Sequence, residues 1–421
     1  MKKKFVLIVS ISVVFVIILT TLLTAGSSAA SEKDRHLNNI TGQYQFNLLG
    51  WEVGALSSEI GQAGKLTPDK NDSALVQKYL DLVAEVTLRE QGAIRDSPYF
   101  GQIQPELYQE KALLQLQAER ILEMQIRDVL DQEGIYNPFI GLPFSFPPVN
   151  FKLEKPPYML IISPRDKIET SRTIMLSPDL TLETIIQIED ETDSLDVSSL
   201  VVPIGGMAAS FPTFVNENSS LPGIINGAVE EWLHQYLTFR PLGFLYLLDI
   251  IGIRDDYDIS AVDETVAGIA AQEIGAKVIE KYYPDYALTP TTPQNPSAFN
   301  FYEEMRQIRL AVDDYLSRGE VQQAEQYMNE KRDYLQQNGY YIRKLNQAYF
   351  AFYGTYTYSP TSVSPIGIKI RELRDRGTSV KDFLDRAQNI TSLAELDKLL
   401  APALGTESRG GGIGNYISLA I

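Results

Sequence analysis

The sequence predicts an α+β protein that is predominantly helical, with a small sheet in the middle of the chain. Long stretches on both sides of the middle carry apolar residues at spacings of three and four, the period of an amphipathic helix. Short runs of β-branched and aliphatic residues, typical of strands, fall between about 158 and 204. The apolar content of 44% and the charged content of 22% are those of a globular chain.

The N-terminus predicts export. Lys2, Lys3 and Lys4 precede an uncharged run from Phe5 to about Ala25, which is long enough to span a bilayer with its basic end in the cytoplasm. The small residues at 28–30 leave a cleaved signal peptide open as the alternative. Residues 1–30 are therefore predicted to be a membrane anchor or signal segment. The main domain is predicted to be extracytoplasmic, and secreted if the segment is cleaved.

Residues 31–138 are predicted to form a helical region. The segments with helical period are Leu37–Leu56, Ala74–Arg89 and Pro105–Gly134. Gly134 is the expected stop of the longest one, because glycine readily adopts the backbone conformation that ends a helix.

Residues 139–287 are predicted to be an α+β core. Expected strands are Tyr158–Ser163, Arg172–Met175 and Leu200–Ile204, with a helix at Thr181–Asp193. Two helices follow, Ile224–Phe239 and Ser260–Tyr282, separated by an apolar connection at Phe244–Ile253.

The rest of the chain is predicted to be helical again. Residues 288–298 (LTPTTPQNPSA) form a proline-rich linker, and residues 299–404 form a C-terminal helical region. Its expected helices are Phe299–Gly319, Glu320–Phe352 and Ser379–Leu400. The glycine-rich residues 405–421 are predicted to be a flexible tail.

Charge and composition exclude some functions. The net charge of -17 argues against nucleic acid as a partner, because phosphate binding needs clustered Lys and Arg. Cysteine is absent, which excludes disulfides and thiolate metal sites. Any metal must therefore be held by His, Asp or Glu.

One stretch carries a metal-site pattern. Glu230-Glu231-Trp232-Leu233-His234 differs from the His-Glu-x-x-His signature of zinc peptidases only at its first residue. On a helix, Glu230 and His234 lie one turn apart on the same face, and both are zinc ligands at about 2 Å. Glu231 projects about 100° away, an offset that would let it act on water rather than on the metal.

A third ligand is expected on the next helix. Ser260 with Asp263 three residues later suggests a capped helix start. Glu264 begins a stripe whose other members are small: Ala267, Gly268, Ala271 and Gly275. Small residues let two helices approach closely, which would bring Glu264 to the helix of His234. Glu273 lies half a turn away and is expected to face elsewhere.

These residues resemble the gluzincin branch of the zincin metallopeptidases over about residues 158–283. Asp263-Glu264-Thr265-Val266-Ala267 is similar to the family's third-ligand sequence, with Asp in place of Asn. The resemblance implies a zincin-like core, with Glu230, His234 and Glu264 as ligands of Zn²⁺ or another divalent metal and Glu231 as the catalytic base. It also implies a peptide or protein substrate, aligned by strand addition along the edge formed by 201–208.

The family also uses a donor to the oxyanion that forms at the peptide carbonyl. Candidates here are Tyr349, Tyr353, Tyr356 and Tyr358, with Arg343 and Arg371 as alternatives. Tyrosines at this density more often serve packing than catalysis.

Glu230 stands where the family has a histidine, and this leaves the function open. The only other histidine, His36, lies near the predicted anchor. The site is thus an active centre with altered metal preference, a slow metal enzyme, or a catalytically inactive pseudoenzyme that serves as a cell-surface binding protein. An ordinary amphipathic helix and a structural envelope protein are the remaining alternatives.

Overall fold

The computed structural model of the protein is α+β and predominantly helical with a small sheet, which confirms the predicted class. It describes residues 32–48, 50–55, 68–94, 105–137, 146–207, 210–250, 253–254, 256–287, 299–355, 359, 361–362 and 364–401. The predicted anchor, the linker 288–298 and the tail 405–421 lie outside the described residues. Among the helices that are described, none has the length and apolar character needed to cross a bilayer.

The secondary structure follows the chain in this order. The helices are α1 (Glu32–Thr41), α2 (Ser73–Ile94), α3 (Pro105–Gln132), α4 (Leu182–Asp193), α5 (Leu221–Leu237), α6 (Pro241–Ile250), α7 (Tyr257–Tyr282), α8 (Pro284–Ala287), α9 (Phe301–Ser317), α10 (Val321–Gln337), α11 (Gln347–Tyr353), α12 (Ile366–Asp375), α13 (Val380–Ala387) and α14 (Leu393–Leu400). The strands are β1 (Phe151–Glu154), β2 (Tyr158–Ser163), β3 (Arg172–Leu176), β4 (Ser198–Pro203) and β5 (Thr213–Asn216).

Tertiary contacts override the helical period in the first region. The helical segment predicted over Leu37–Leu56 is interrupted. α1 ends at Thr41, Gln45 forms an antiparallel bridge with Leu176, and the chain is helical again at 48 and 50–55. The backbone N–H of Phe46 also donates to the carbonyl of Met175, at 3.0 Å. The chain thus leaves the helix to pair with the edge of β3. The end of α3 is as predicted, with Gly134 just beyond it at a φ of 72°.

The strands form two small sheets. β2 lies between β3 and β4 in an antiparallel sheet, and β1 pairs in parallel with β5. Between β4 and β5 the chain links the sheets, since Gly206 bridges to Val215 and the N–H of Asn216 donates to Gly205. The prediction from sequence found β2, β3 and β4 but missed β1 and β5, each of which is only four residues long.

The antiparallel sheet is buried on both faces because alternate residues point in opposite directions. Leu160 and Ile162 of β2 pack with α1 and α4, whereas Ile161 packs on the other side with Ala348 of α11. The sheet is therefore the middle layer between helices.

Side chains of α3 cover the outer edge of β1. Glu119 accepts the backbone N–H of Leu153 at 2.8 Å and pairs with Lys152 at 3.0 Å, and Glu123 accepts the N–H of Phe151 at 3.3 Å. Carboxylates here replace the neighbouring strand that the edge lacks. Burial raises the pKa of Glu119, a shift that Lys152 opposes.

The C-terminal helices are more numerous than predicted. Glu320–Phe352 is two helices, α10 and α11, because the chain turns at Gly339 with a φ of 88°. Ser379–Leu400 is also two helices, each capped by a serine, Ser379 or Ser392. α12, α13 and α14 pack into the main core with α2, α3, α5 and α7, whereas α9 and α10 enclose a core of their own.

The helices α5 and α7 pack closely enough to fix a functional site between them. A Cβ placed on Gly275 of α7 would lie 1.9 Å from Oδ1 of Asn226 on α5. Ala267, Gly268 and Ala271 of the same predicted stripe are buried. The small-residue stripe is thus the contact surface with α5, as predicted.

Gly275→Ala is expected to lower the free energy of unfolding by ~1–3 kcal/mol, because the added methyl group must push the two helices or Asn226 aside. Urea unfolding followed by circular dichroism measures it. The matched control is Gly227→Ala on α5, where the Cβ would meet only Val215 at an ordinary 3.6 Å. Equal effects of the two substitutions would contradict the close packing.

Candidate metal centre

Three predicted ligands converge between α5 and α7. Glu230, His234 and Glu264 each offer one ligand atom, and these atoms all lie within 4.8 Å of one another. Nε2 of His234 lies 3.8 Å from Oε2 of Glu264. His234 is buried, and the two glutamates are partly exposed. The fold thus brings together the residues that the sequence predicted: Glu230 and His234 on one face of α5, and Glu264 on α7.

The dimensions of the group fit a divalent metal ion. Ligand atoms about 2.0–2.2 Å from a tetrahedral metal are roughly 3.4 Å apart. The separation of 3.8 Å between Nε2 of His234 and Oε2 of Glu264 is a few tenths of an ångström longer, and all three ligand atoms lie within 4.8 Å of one another. The side chains would have to move inward to bind an ion. The group Glu230–His234–Glu264 could therefore hold a metal ion.

Asp263 orients His234 from behind. Oδ2 of Asp263 lies 2.7 Å from Nδ1 of His234, and the aspartate is fully buried. With Nδ1 engaged, Nε2 is the nitrogen that faces Glu264. A carboxylate in this position is typical of metal-binding histidines, because it fixes both the ring and its tautomer.

The predicted capping role of Asp263 is wrong. α7 begins at Tyr257 and is capped by Asp256, whose side chain accepts the N–H of Ile259 at 3.1 Å. Ser260 thus lies inside the helix rather than at its cap, and its hydroxyl lies 3.2 Å from Asp249. The extra turn leaves Asp263 free to face α5.

The predicted base, Glu231, lies beside the loop between β4 and β5. A Cβ on Gly206 would be 2.4 Å from Oε1 of Glu231, so any larger residue at 206 would require the glutamate side chain to move. Glu231 is close enough to His234 that its charge raises the pKa of the imidazole. The carboxylate therefore lies next to the metal-binding group without belonging to it.

Tyr246 of α6 also contacts the group. Its ring stacks on the ring of His234 with centroids 5.2 Å apart, and its hydroxyl donates to Oε1 of Glu264. The sequence interpretation missed this residue because Phe244–Ile253 was predicted to be an apolar connection. Most of it is the helix α6, and Pro241 at the first helical position was the available signal.

Proton binding compensates the negative charge of the group when no metal is present. Burial alone would lower the pKa of His234, but Glu264, Asp263 and Glu231 outweigh it and raise the pKa to about 10. Burial and the nearby charge of Glu264 raise the pKa of Glu230 to about 7. A cationic imidazole and a partly protonated carboxyl are the result near neutral pH.

The outer edge of β4 is occupied, contrary to the expected strand addition. The N–H of Val201 donates to Glu189 and its carbonyl accepts from Arg343, at 2.6 and 3.1 Å. Ser199 is bonded in the same way, to Asp193 and Asn346. Pro203 has no N–H, and Gly205 and Gly206 pair with β5. A substrate strand would therefore have to displace these partners to bind along 199–206, and Ala208 lies outside the described residues.

The other predicted candidates have different surroundings. Arg343 forms a bidentate ion pair with Glu189. Tyr349 and Tyr353 pack against the hydrophobic cluster on β2 and β4. Arg371 is exposed on α12 and His36 is exposed on α1, while Tyr356 and Tyr358 lie outside the described residues. Glu273 pairs with Arg374 at 2.5 and 2.7 Å, which confirms that it faces away from the site.

Comparison with known proteins adds no assignment. No protein-family model, curated protein or solved structure matches the chain. The functional interpretation therefore depends on the geometry of the group.

His234 of the metal-free protein is expected to titrate near pH 10, far above the usual value of 6.5, because three carboxylates stabilise the imidazolium. Proton NMR can follow it, since the chain has two histidines and His36→Gln identifies the other signal. Asp263→Asn should lower the pKa of His234. A native His234 titrating near 6.5 would contradict the described electrostatics.

The same shift predicts the pH dependence of stability. The pKa of His234 is higher in the folded than in the unfolded protein, so protonation of His234 stabilises the folded state. This stabilisation is fully present below pH 6.5 and is lost as the pH rises through about 10.

Proposed function

We propose that the protein is a membrane-anchored, extracytoplasmic hydrolase of the zincin type that cuts peptide bonds with the help of a divalent metal ion. The observation that carries this proposal is the convergence of Glu230, His234 and Glu264, with Asp263 hydrogen-bonded behind the histidine. An ordinary amphipathic helix does not require its polar residues to meet those of a second helix in this way. Membrane attachment rests on the run from Phe5 to about Ala25.

In this proposal each side chain has a separate task. A metal ion held by the three ligands would polarise the substrate carbonyl and make water more acidic. Glu231, held against Gly206 and outside the ligand set, would accept the proton of the attacking water and pass it to the leaving amine. Asp263 would accept a hydrogen bond from the proton-bearing Nδ1 of His234 and so leave Nε2 as the nitrogen directed at the metal.

The substitution at Glu230 weakens the chemistry of such a site. Two carboxylates place two negative charges on the metal, so its effect on the carbonyl and on water is smaller than with neutral imidazoles. Oxygen-rich ligand sets also suit harder ions than zinc. A slow hydrolase with Zn²⁺ or another divalent ion is thus the expected catalyst, acting on a peptide or protein.

The alternative is a catalytically inactive zincin fold that serves as a cell-surface binding protein. The raised pKa values of His234 and Glu230, about 10 and about 7, favour it specifically. They mean that protons can balance the charge of the group in the absence of a metal. The same residues would then form a structural ion cluster between α5 and α7.

Metal content distinguishes the two proposals. Purified native protein is expected to contain about one metal ion per chain by mass spectrometry, because two negative ligands and an imidazole converge on one point. His234→Ala should lose the ion, and the control His36→Ala should keep it. A native protein without metal that gains it in Glu230→His would establish the inactive alternative. Absence of metal from both would mean that the ligand assignment is wrong.

The role of Glu231 has its own test. Glu231→Gln is expected to lower hydrolysis of an unfolded protein substrate by about 10²–10⁴-fold, because the amide cannot accept a proton. Metal content should not change, since Glu231 is outside the ligand group. Glu273→Gln, on α7 but paired with Arg374, is the control that should retain activity. Unchanged activity in Glu231→Gln would exclude it as the base.

A further inference from the structure

We propose that Tyr246 is a positioning residue that fixes the third metal ligand and limits it to one coordinating oxygen. This inference rests on the proposed metal site. The hydroxyl of Tyr246 donates to Oε1 of Glu264, whereas Oε2 of the same carboxylate is the oxygen 3.8 Å from His234. One oxygen is thus held by the tyrosine, and the other is directed into the ligand group.

The fold holds Tyr246 in this position from both ends of α6. At the start of α6, a Cβ on Gly243 would lie 2.2 Å from the backbone of Leu237, so glycine lets α6 turn back onto the end of α5. Near its end, Asp249 accepts the N–H of Asp256 at 3.2 Å and thereby joins α6 to the start of α7.

Gly243, Tyr246 and Asp249 are spaced three residues apart, so they follow one side of α6. This side of α6 therefore contacts both α5 and α7, and Tyr246 lies at its centre. The same side chain stacks on His234 of α5 and bonds to Glu264 of α7.

A hydrogen bond to a ligand carboxylate changes its coordination as well as its affinity. A carboxylate with both oxygens free can bind a metal through both, which raises the coordination number. A carboxylate with one oxygen engaged by a hydroxyl binds through the other. Outer partners of this kind typically change metal affinity by about 10–100-fold when they are removed.

The test is a titration of metal-free full-length protein with Co²⁺ alone, followed by visible absorption. Tyr246→Phe removes only the hydroxyl and retains the ring on His234, so folding should be preserved. We expect Co²⁺ to bind about 10–100-fold more weakly, with weaker absorption bands because the coordination number rises. The control is Tyr257→Phe, whose hydroxyl donates to the carbonyl of Gly354 at 2.8 Å. That variant should bind Co²⁺ as the native protein does.

The outcomes separate this inference from the proposed function. Equal affinity and equal spectra for native protein and Tyr246→Phe would overturn the role of Tyr246 and leave the metal site intact. Weaker binding with an unchanged spectrum would overturn the claim that Tyr246 sets the coordination mode. Failure of the native protein to bind Co²⁺ would overturn both the inference and the metal site on which it rests.

Discussion

The site depends on the close approach of α5 and α7. Gly275 lies against Asn226, where even one methyl group has no room, and the small residues between Gly275 and Glu264 are buried along the same stripe. The two helices run in opposite directions. Asn226 meets Gly275 at one end of their contact, and two turns further along α5 His234 faces Glu264. The backbone separation is thus fixed by packing, and the polar group occupies the space that packing leaves.

The polar group is stable only because its charges are compensated. Asp263 is fully buried, and an ionised carboxylate in such a position requires a partner. His234 provides it at 2.7 Å, and it also faces Glu264 and Glu231. A proton on His234 and a metal ion at Nε2 are two ways to supply positive charge to the same carboxylates. The same arrangement of side chains could therefore hold either a proton or a metal ion.

Local patterns in the sequence predicted the parts of the fold that depend on periodicity, and they failed where distant residues decide. β2 and the helices α2, α3 and α5 follow from hydrophobic period and composition. The turn out of α1 depends on the pairing of Gln45 with Leu176, more than a hundred residues away, and no local pattern contains it. β1 is stabilised by carboxylates of α3 rather than by a long apolar run, so it gives a weak strand signal.

The same distinction applies to the site. Glu230, His234 and Glu264 were predictable because helical spacing and a small-residue stripe determine which faces meet. Asp263 and Tyr246 were not, since their roles depend on where α7 begins and on how α6 returns to α5. Pro241 indicates where α6 begins, and Gly243 permits its return to α5, but a glycine in an apolar run has several explanations.

The three candidate ligands differ in the neighbouring side chains that act on them, and Glu230 differs most from the other two. Asp263 holds His234, and Tyr246 holds Glu264. Burial and the charge of Glu264 raise the pKa of Glu230 to about 7, and the charge of His234 opposes this shift. Hydrogen bonds thus orient His234 and Glu264, whereas burial and charge act on Glu230. The residue that stands in place of the histidine is therefore also the member of the group that can take up a proton near neutral pH.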